Sequence, residues 1–126
     1  EKVSISQIFA KKGEAYFRTL ETQLLKSYQT TSNLVISTGG GAPCFNSNME
    51  VINSIGKSVY IKLSAKVLVN RLKNETAKRP LISEMTDEGL FIFIQNKLKE
   101  RAIFYELADV YFDNNERKLD DLIPLL

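Results

Sequence analysis

Apolar positions recur at helical spacing from the start of the chain. Ile5, Ile8 and Phe9 share one side of a helix predicted from Ser4 to Lys12, with Gly13 as its stop. Phe17, Leu20, Leu24 and Tyr28 follow at i, i+3, i+7 and i+11, which predicts a second helix over about 14–28. Leu34-Val35-Ile36-Ser37 is a short apolar run that ends in Thr38 and three glycines, the profile of a buried strand. Asn46 or Ser47 is placed to cap a helix reaching Ile55. A strand over 58–63, a helix over 65–73, a long helix over 87–107, a strand over 109–113 and a closing helix over 118–126 complete the pattern, with Pro124 limiting the last turn. Residues 74–86 are polar and aperiodic around Arg79-Pro80, so a mobile loop is expected there. Strands that alternate with helices imply an α/β fold with a parallel sheet, and three strands is thin for one.

The absence of histidine changes the picture most. It excludes Ser-His-Asp hydrolysis, HExxH proteases, His-assisted zinc sites and imidazole general bases. Cys44 is the single cysteine, so no internal disulfide or cysteine cluster can form; a buried, unreactive thiol is expected. At 126 residues the chain fits a single domain, and its net charge of +2 is too small to argue for nucleic acid. No apolar run approaches the ~20 residues of a membrane span, and no signal-peptide pattern is present.

Candidate chemistry collects at a few places. Thr38-Gly39-Gly40-Gly41-Ala42-Pro43 follows a predicted strand, where open α/β sheets place their ligand sites. Consecutive glycines let backbone N–H groups approach a ligand closely, although a flexible connection would use the same residues. Arg18 and Glu21 share a helix face, as an ordinary surface ion pair also would. Arg101 continues the line Ile94, Leu98, Arg101, Tyr105, which puts a guanidinium on an inward stripe where an anionic partner is expected. Two such arginines converging would grip a small carboxylate or phosphate. Lys62, Lys66, Arg71, Lys73, Lys78 and Arg79 against Glu75 concentrate positive charge, suited to a polyphosphate or simply to a solvated face; Arg117 is equally ambiguous. Gly56-Lys57-Ser58 mimics the end of a phosphate-binding loop, but Val51 replaces the needed glycine and the triplet precedes a strand.

Assembled, these residues resemble shikimate kinase. The resemblance runs through Ser4-Ile5-Ser6-Gln7-Ile8-Phe9, Gly13-Glu14, Phe17-Arg18-x-x-Glu21, Ser37-Thr38-Gly39-Gly40-Gly41, Val59-Tyr60-Ile61-Lys62-Leu63, Arg79-Pro80-Leu81 and Arg101-x-x-x-Tyr105-x-x-x-Ala108-Asp109. It implies a P-loop, nucleoside-monophosphate-kinase-like parallel sheet flanked by helices. The implied activity transfers the γ-phosphoryl of MgATP to the 3-hydroxyl of shikimate in aromatic amino-acid biosynthesis. By the same resemblance Arg18 and Arg101 grip the shikimate carboxylate, Glu21 holds a hydroxyl and orients Arg18, and Gly39, Gly40 and Gly41 line the ring. Arg79 closes on the phosphates from a lid over about 74–86, and Arg71 and Arg117 flank the adenine. The acceptor-binding region is expected over about 1–57 of a single domain, in a cytoplasmic, monomeric enzyme with ATP and Mg2+ and with no nucleic-acid or membrane partner.

The family's first strand, its GxxGxGK[ST] loop with the following helix, and its second strand bearing Asp-x-Asp have no counterpart in these residues. The first two strands are therefore expected to be missing, the chain to be a truncated kinase inactive by itself, and ATP and Mg2+ to need the absent segment. Without the central strand, Leu34–Ile36 and Val59–Leu63 are expected to lack their shared neighbour. Two alternatives are a gluconate-kinase-type enzyme of the same fold and a non-catalytic module that binds a hydroxy-carboxylate through Arg18 and Arg101.

Overall fold

The computed structural model describes residues 3–73, 85–115 and 117–126. The chain forms two compact units, Glu1–Ser58 and Val59–Leu126.

In the first unit, helix α1 spans Ile5–Ser27. Its start is fixed by a reciprocal pair in which Ser4 Oγ accepts from the Gln7 N–H and Gln7 Oε1 accepts from the Ser4 N–H. Gly13, at φ 78° and ψ 175°, breaks the helical path inside α1, so the two predicted helices meet at a kink. A Cβ at Gly13 would touch nothing within 4 Å; the left-handed φ is what requires glycine there. A short 3-10 turn at Tyr28–Thr30 follows, then an exposed stretch, a 3-10 turn at Ala42–Cys44, and helix α2 over Asn48–Ile55, which packs on α1.

Two expectations for this unit fail. Leu34–Ser37 forms no strand, and Val35 is 103% exposed, with Leu34 and Ile36 also exposed. A strand exists only through a ladder, and no neighbouring strand bonds to this run among the described residues. Ser47 does occupy the position before α2, but at φ 52° and with no capping hydrogen bond from its side chain. A left-handed residue does not present its hydroxyl to the N2 and N3 amides as an extended one does.

The second unit holds strand β1 (Val59–Lys62), helix α3 (Ala65–Lys73), helix α4 (Asp87–Tyr105), strand β2 (Val110–Asp113) and a 3-10 stretch over Leu119–Leu125. The strands pair in parallel, Val59 opposite Val110 through Lys62 opposite Asp113. Their carboxyl ends are stapled: the Asn114 N–H donates to the Lys62 carbonyl and the Ser64 N–H to Asn115 Oδ1. Two N–H groups of Asn115 donate to Asp113 Oδ1, which holds that carboxyl below its usual range. Val69 of α3 and Leu90 and Ile94 of α4 form the buried cluster, flanked by Leu68, Leu72, Phe91 and Leu98. Thr86 Oγ1 accepts from the Gly89 N–H, and Asp87 and Glu88 face the positive end of α4.

Helix α4 ends two residues before Leu107, and the closing segment is 3-10, not α. Pro124 cannot donate the hydrogen bond that a continuing α-helix needs, and the Leu126 N–H reaches back three residues, to the Ile123 carbonyl. Gly56-Lys57-Ser58 lies between α2 and β1, as its rejection as a phosphate loop requires. Among the described residues no helix is long and apolar enough to cross a membrane.

Candidate functional site

Helix α1 presents Glu14, Arg18 and Glu21 at i−4, i and i+3, so all three meet on one face. Arg18 Nε and Nη2 donate to Glu14 Oε1 at 3.1 and 2.8 Å, and Nη1 donates to Glu21 Oε2 at 2.6 Å. The side chains of Arg18 and Glu21 are only 15% and 18% exposed, while Glu14 is at the rim. Burial lowers the Arg18 pKa, and the hydrogen bonds and charges of Glu21 and Glu14 outweigh it, so the net shift is upward. The guanidinium is permanently charged.

Among the described residues three of its five N–H groups are used, which leaves one on Nη1 and one on Nη2. Such a pair suits a carboxylate. The glycine loop lies against those same atoms: a Cβ at Gly41 would sit 2.9 Å from both Nη1 and Nη2. Glu21 Oε1, the oxygen that Arg18 does not use, faces Gly39, 3.9 Å from where its Cβ would be. The result is a cation with two donors to spare, a carboxylate oxygen beside it and backbone close by. A small polar anion bearing hydroxyls fits that description.

Gly41 itself has φ −86°, open to any residue, so its role is steric. Gly41→Ala is expected to push the Arg18 guanidinium off its place and weaken acceptor binding about tenfold or more, with little change in melting temperature. Calorimetry beside a thermal melt checks this; unchanged affinity would mean that the loop does not set the Arg18 position.

The loop is held from behind by residues 42–48. Asn48 is fully buried and donates from Nδ2 to the Ala42 carbonyl at 2.9 Å; its Oδ1 is buried with no hydrogen-bond partner among the described residues. Asn46 Nδ2 reaches α1, at 3.0 Å from Thr22 Oγ1 and 3.3 Å from the Arg18 carbonyl. The Phe45 ring lies over the Arg18 guanidinium, with Cζ 4.2 Å from the ring centre. Cys44 is half-buried, not fully buried as expected, with its Sγ near the Gly40 carbonyl.

Comparisons with known proteins place the chain in a family. The family model for shikimate kinase matches residues 1–123. The chain belongs to the shikimate kinase family. It is 41% identical over 126 residues to the shikimate kinase of Azobacteroides pseudotrichonymphae, covering 99% of this chain and 74% of that protein. The crystal structure of shikimate kinase from Bacteroides thetaiotaomicron matches with a TM-score of 0.85 at 37% identity, covering 97% of this chain and 72% of that one. The shikimate kinase of Acinetobacter baumannii, solved in complex with shikimate, matches with a TM-score of 0.78 at 31% identity, over 98% and 67% of the two chains. The chain spans 61–74% of the length of the curated relatives compared. The fold is therefore the P-loop, nucleoside-monophosphate-kinase-like one of these kinases, of which the described residues hold a helix-rich part with a two-stranded parallel sheet.

Of the residues that the shikimate kinase pattern marks, Arg18, Glu21, Gly39 and Gly41 come together in the first unit. Arg71, Arg101 and Arg117 belong to the second. Arg101 is half-buried on α4, and no ion pair is formed by it among the described residues. Arg71 is exposed in the last turn of α3, favourably placed for the helix dipole. Arg117 donates to the Asp121 carbonyl at 3.2 Å and lies over Phe112, with Cζ 4.9 Å from the ring centre. Arg79 and most of the expected lid lie outside the described residues. Sequence reasoning missed Glu14, Phe45, Asn46 and Asn48. Glu14 was within reach, since a carboxylate four residues before an arginine on a helix is a known pair. The other three act across a gap of twenty residues or more, or through burial, and nothing in a linear pattern marks them.

Proposed function

We propose that the protein phosphorylates shikimate, moving the γ-phosphoryl of MgATP to its 3-hydroxyl. The observation that supports this is the Arg18 guanidinium, braced by Glu14 and Glu21 against Gly41 with two N–H groups left over. Those two donors take the acceptor carboxylate; the family resemblance gives Arg101 the role of a second charge on it. Glu21 Oε1 accepts from a ring hydroxyl, and Gly39, Gly40 and Gly41 lie along the ring where side chains would intrude. Positioning of this kind is what phosphoryl transfer asks of a protein, because the chemistry needs alignment and charge more than covalent help. Arg79 supplies positive charge to the transferring phosphates, and Arg71 and Arg117 bracket the adenine.

ATP and Mg2+ are used throughout the family. Among the described residues no group of three or more Cys, Asp or Glu could hold a metal ion, so no step is assigned to Mg2+ on these side chains. The 126 residues carry the acceptor side of the site without a GxxGxGK[ST] loop. ATP binding and turnover are assigned to such a loop, and the enzyme is expected to be a cytoplasmic monomer.

Calorimetric titration of shikimate and, in parallel, gluconate tests this reading. Preferential binding of shikimate supports it; preferential binding of gluconate would move the protein to the sugar-acid kinases of the same fold.

A further inference from the structure

Arg18 carries the proposed acceptor site, yet its two carboxylate partners fix only the edge of its guanidinium. Hydrogen bonds in the plane of a guanidinium leave it free to tilt about the line that joins them. The tilt decides where the two remaining N–H groups point, so something must hold the face.

We propose that Phe45 is a positioning residue for Arg18. Its ring centre lies 4.2 Å from Arg18 Cζ, well within the ~6 Å over which an aromatic face attracts a cation. Phe17, the residue before Arg18, is further away at 5.3 Å. Phe45 is 39% exposed, so it is not a core residue retained for burial. Its backbone is held on both sides. The Phe45 carbonyl accepts from the Asn48 N–H at 2.9 Å, and fully buried Asn48 also fixes the Ala42 carbonyl. On the other side, Asn46 adopts φ 52° and ties the segment to α1 at the Arg18 carbonyl and Thr22 Oγ1. Asn46 thus contacts the backbone of the same residue whose side chain Phe45 covers. Segment 45–48 closes a loop of contacts around Arg18: edge to Glu14 and Glu21, end to Gly41, face to Phe45, main chain to Asn46.

This inference rests on Arg18 as the acceptor's anchor, and the test separates the two. In the full-length protein, Phe45→Leu, Phe45→Tyr and Asn46→Gly are compared with the parent by thermal melt, steady-state kinetics and NMR of the Arg18 Nε–H group. Tyrosine keeps the ring, and glycine keeps the left-handed backbone while deleting the tether. In the parent the ring current is expected to displace the Arg18 Hε resonance, and rotation about Nε–Cζ is expected to be slow. Phe45→Leu is expected to remove both signatures and to raise the KM for shikimate about three- to tenfold, with kcat within about twofold. Phe45→Tyr restores both, and Asn46→Gly gives a smaller change in the same direction. An undisplaced Arg18 resonance in the parent overturns the proposal, as does a shikimate KM in Phe45→Leu equal to the parent's. If the parent does not bind shikimate, the acceptor reading fails, while the NMR comparison in the free protein still decides whether Phe45 holds Arg18. Should Phe45→Leu fail to fold, Asn46→Gly carries the test: unchanged Arg18 dynamics and unchanged KM overturn it.

Discussion

Arg18→Ala is expected to weaken shikimate binding by about 30- to 5,000-fold, the range for removing one partner of a desolvated, hydrogen-bonded charge pair. Two losses combine. The acceptor carboxylate loses its donors, and Glu14 and Glu21 are left facing each other and the incoming anion without the cation between them. Arg18→Lys is expected to fall between, because an ammonium keeps the charge but cannot serve two carboxylates and a ligand from one plane. Titration calorimetry reads all three proteins directly. Affinity in Arg18→Ala equal to the parent's would remove Arg18 from the acceptor site and with it the main support for the proposed activity.

The second large effect concerns stability. Phe112 is fully buried, at 0% exposure, in the middle of β2 opposite Ile61. Truncation of a buried phenylalanine to alanine costs about 3–5 kcal/mol, through lost apolar burial and the cavity that remains. That is a large share of the 5–15 kcal/mol by which domains are ordinarily stable. Phe112→Ala is therefore expected to lower the urea midpoint sharply, and Phe112→Leu much less. Arg117 lies over the same ring, so the truncation also removes that cation–ring contact. A midpoint unchanged in Phe112→Ala would show that β2 does not contribute to the cooperative unit.

The legible parts of the fold are those that neighbours in sequence decide. The start of α1 at Ser4, its break at Gly13 and the existence of α3 and α4 were legible, although α4 stops two residues before the predicted Leu107. Leu34–Ile36 shows the limit. Its composition is that of a strand, but strand formation is a property of pairs, and no partner bonds to it among the described residues. At the site, the three-residue spacing from Arg18 to Glu21 was enough to place them together, and the glycines marked where backbone approaches. The brace supplied by Phe45, Asn46 and Asn48 was invisible because each contact joins residues whose separation in sequence carries no period. Pro124 was read as a limit on an α-helix; it sits within a 3-10 stretch, since a missing N–H changes which hydrogen bonds remain available.

The register of β1 with β2 bears on the order in which the second unit assembles. Val59 meets Val110 across roughly fifty residues of chain, and closing a loop of that length costs about 3–4 kcal/mol in chain entropy before any ladder bond compensates. Helices α3 and α4 lie within that interval and pack on each other through Val69, Leu90 and Ile94. Their docking draws the two strand segments together, so the helical pair is expected to form on the early side of the barrier and the parallel ladder on the late side. Substitutions at Leu90 would then slow folding, whereas those at Phe112 would chiefly hasten unfolding.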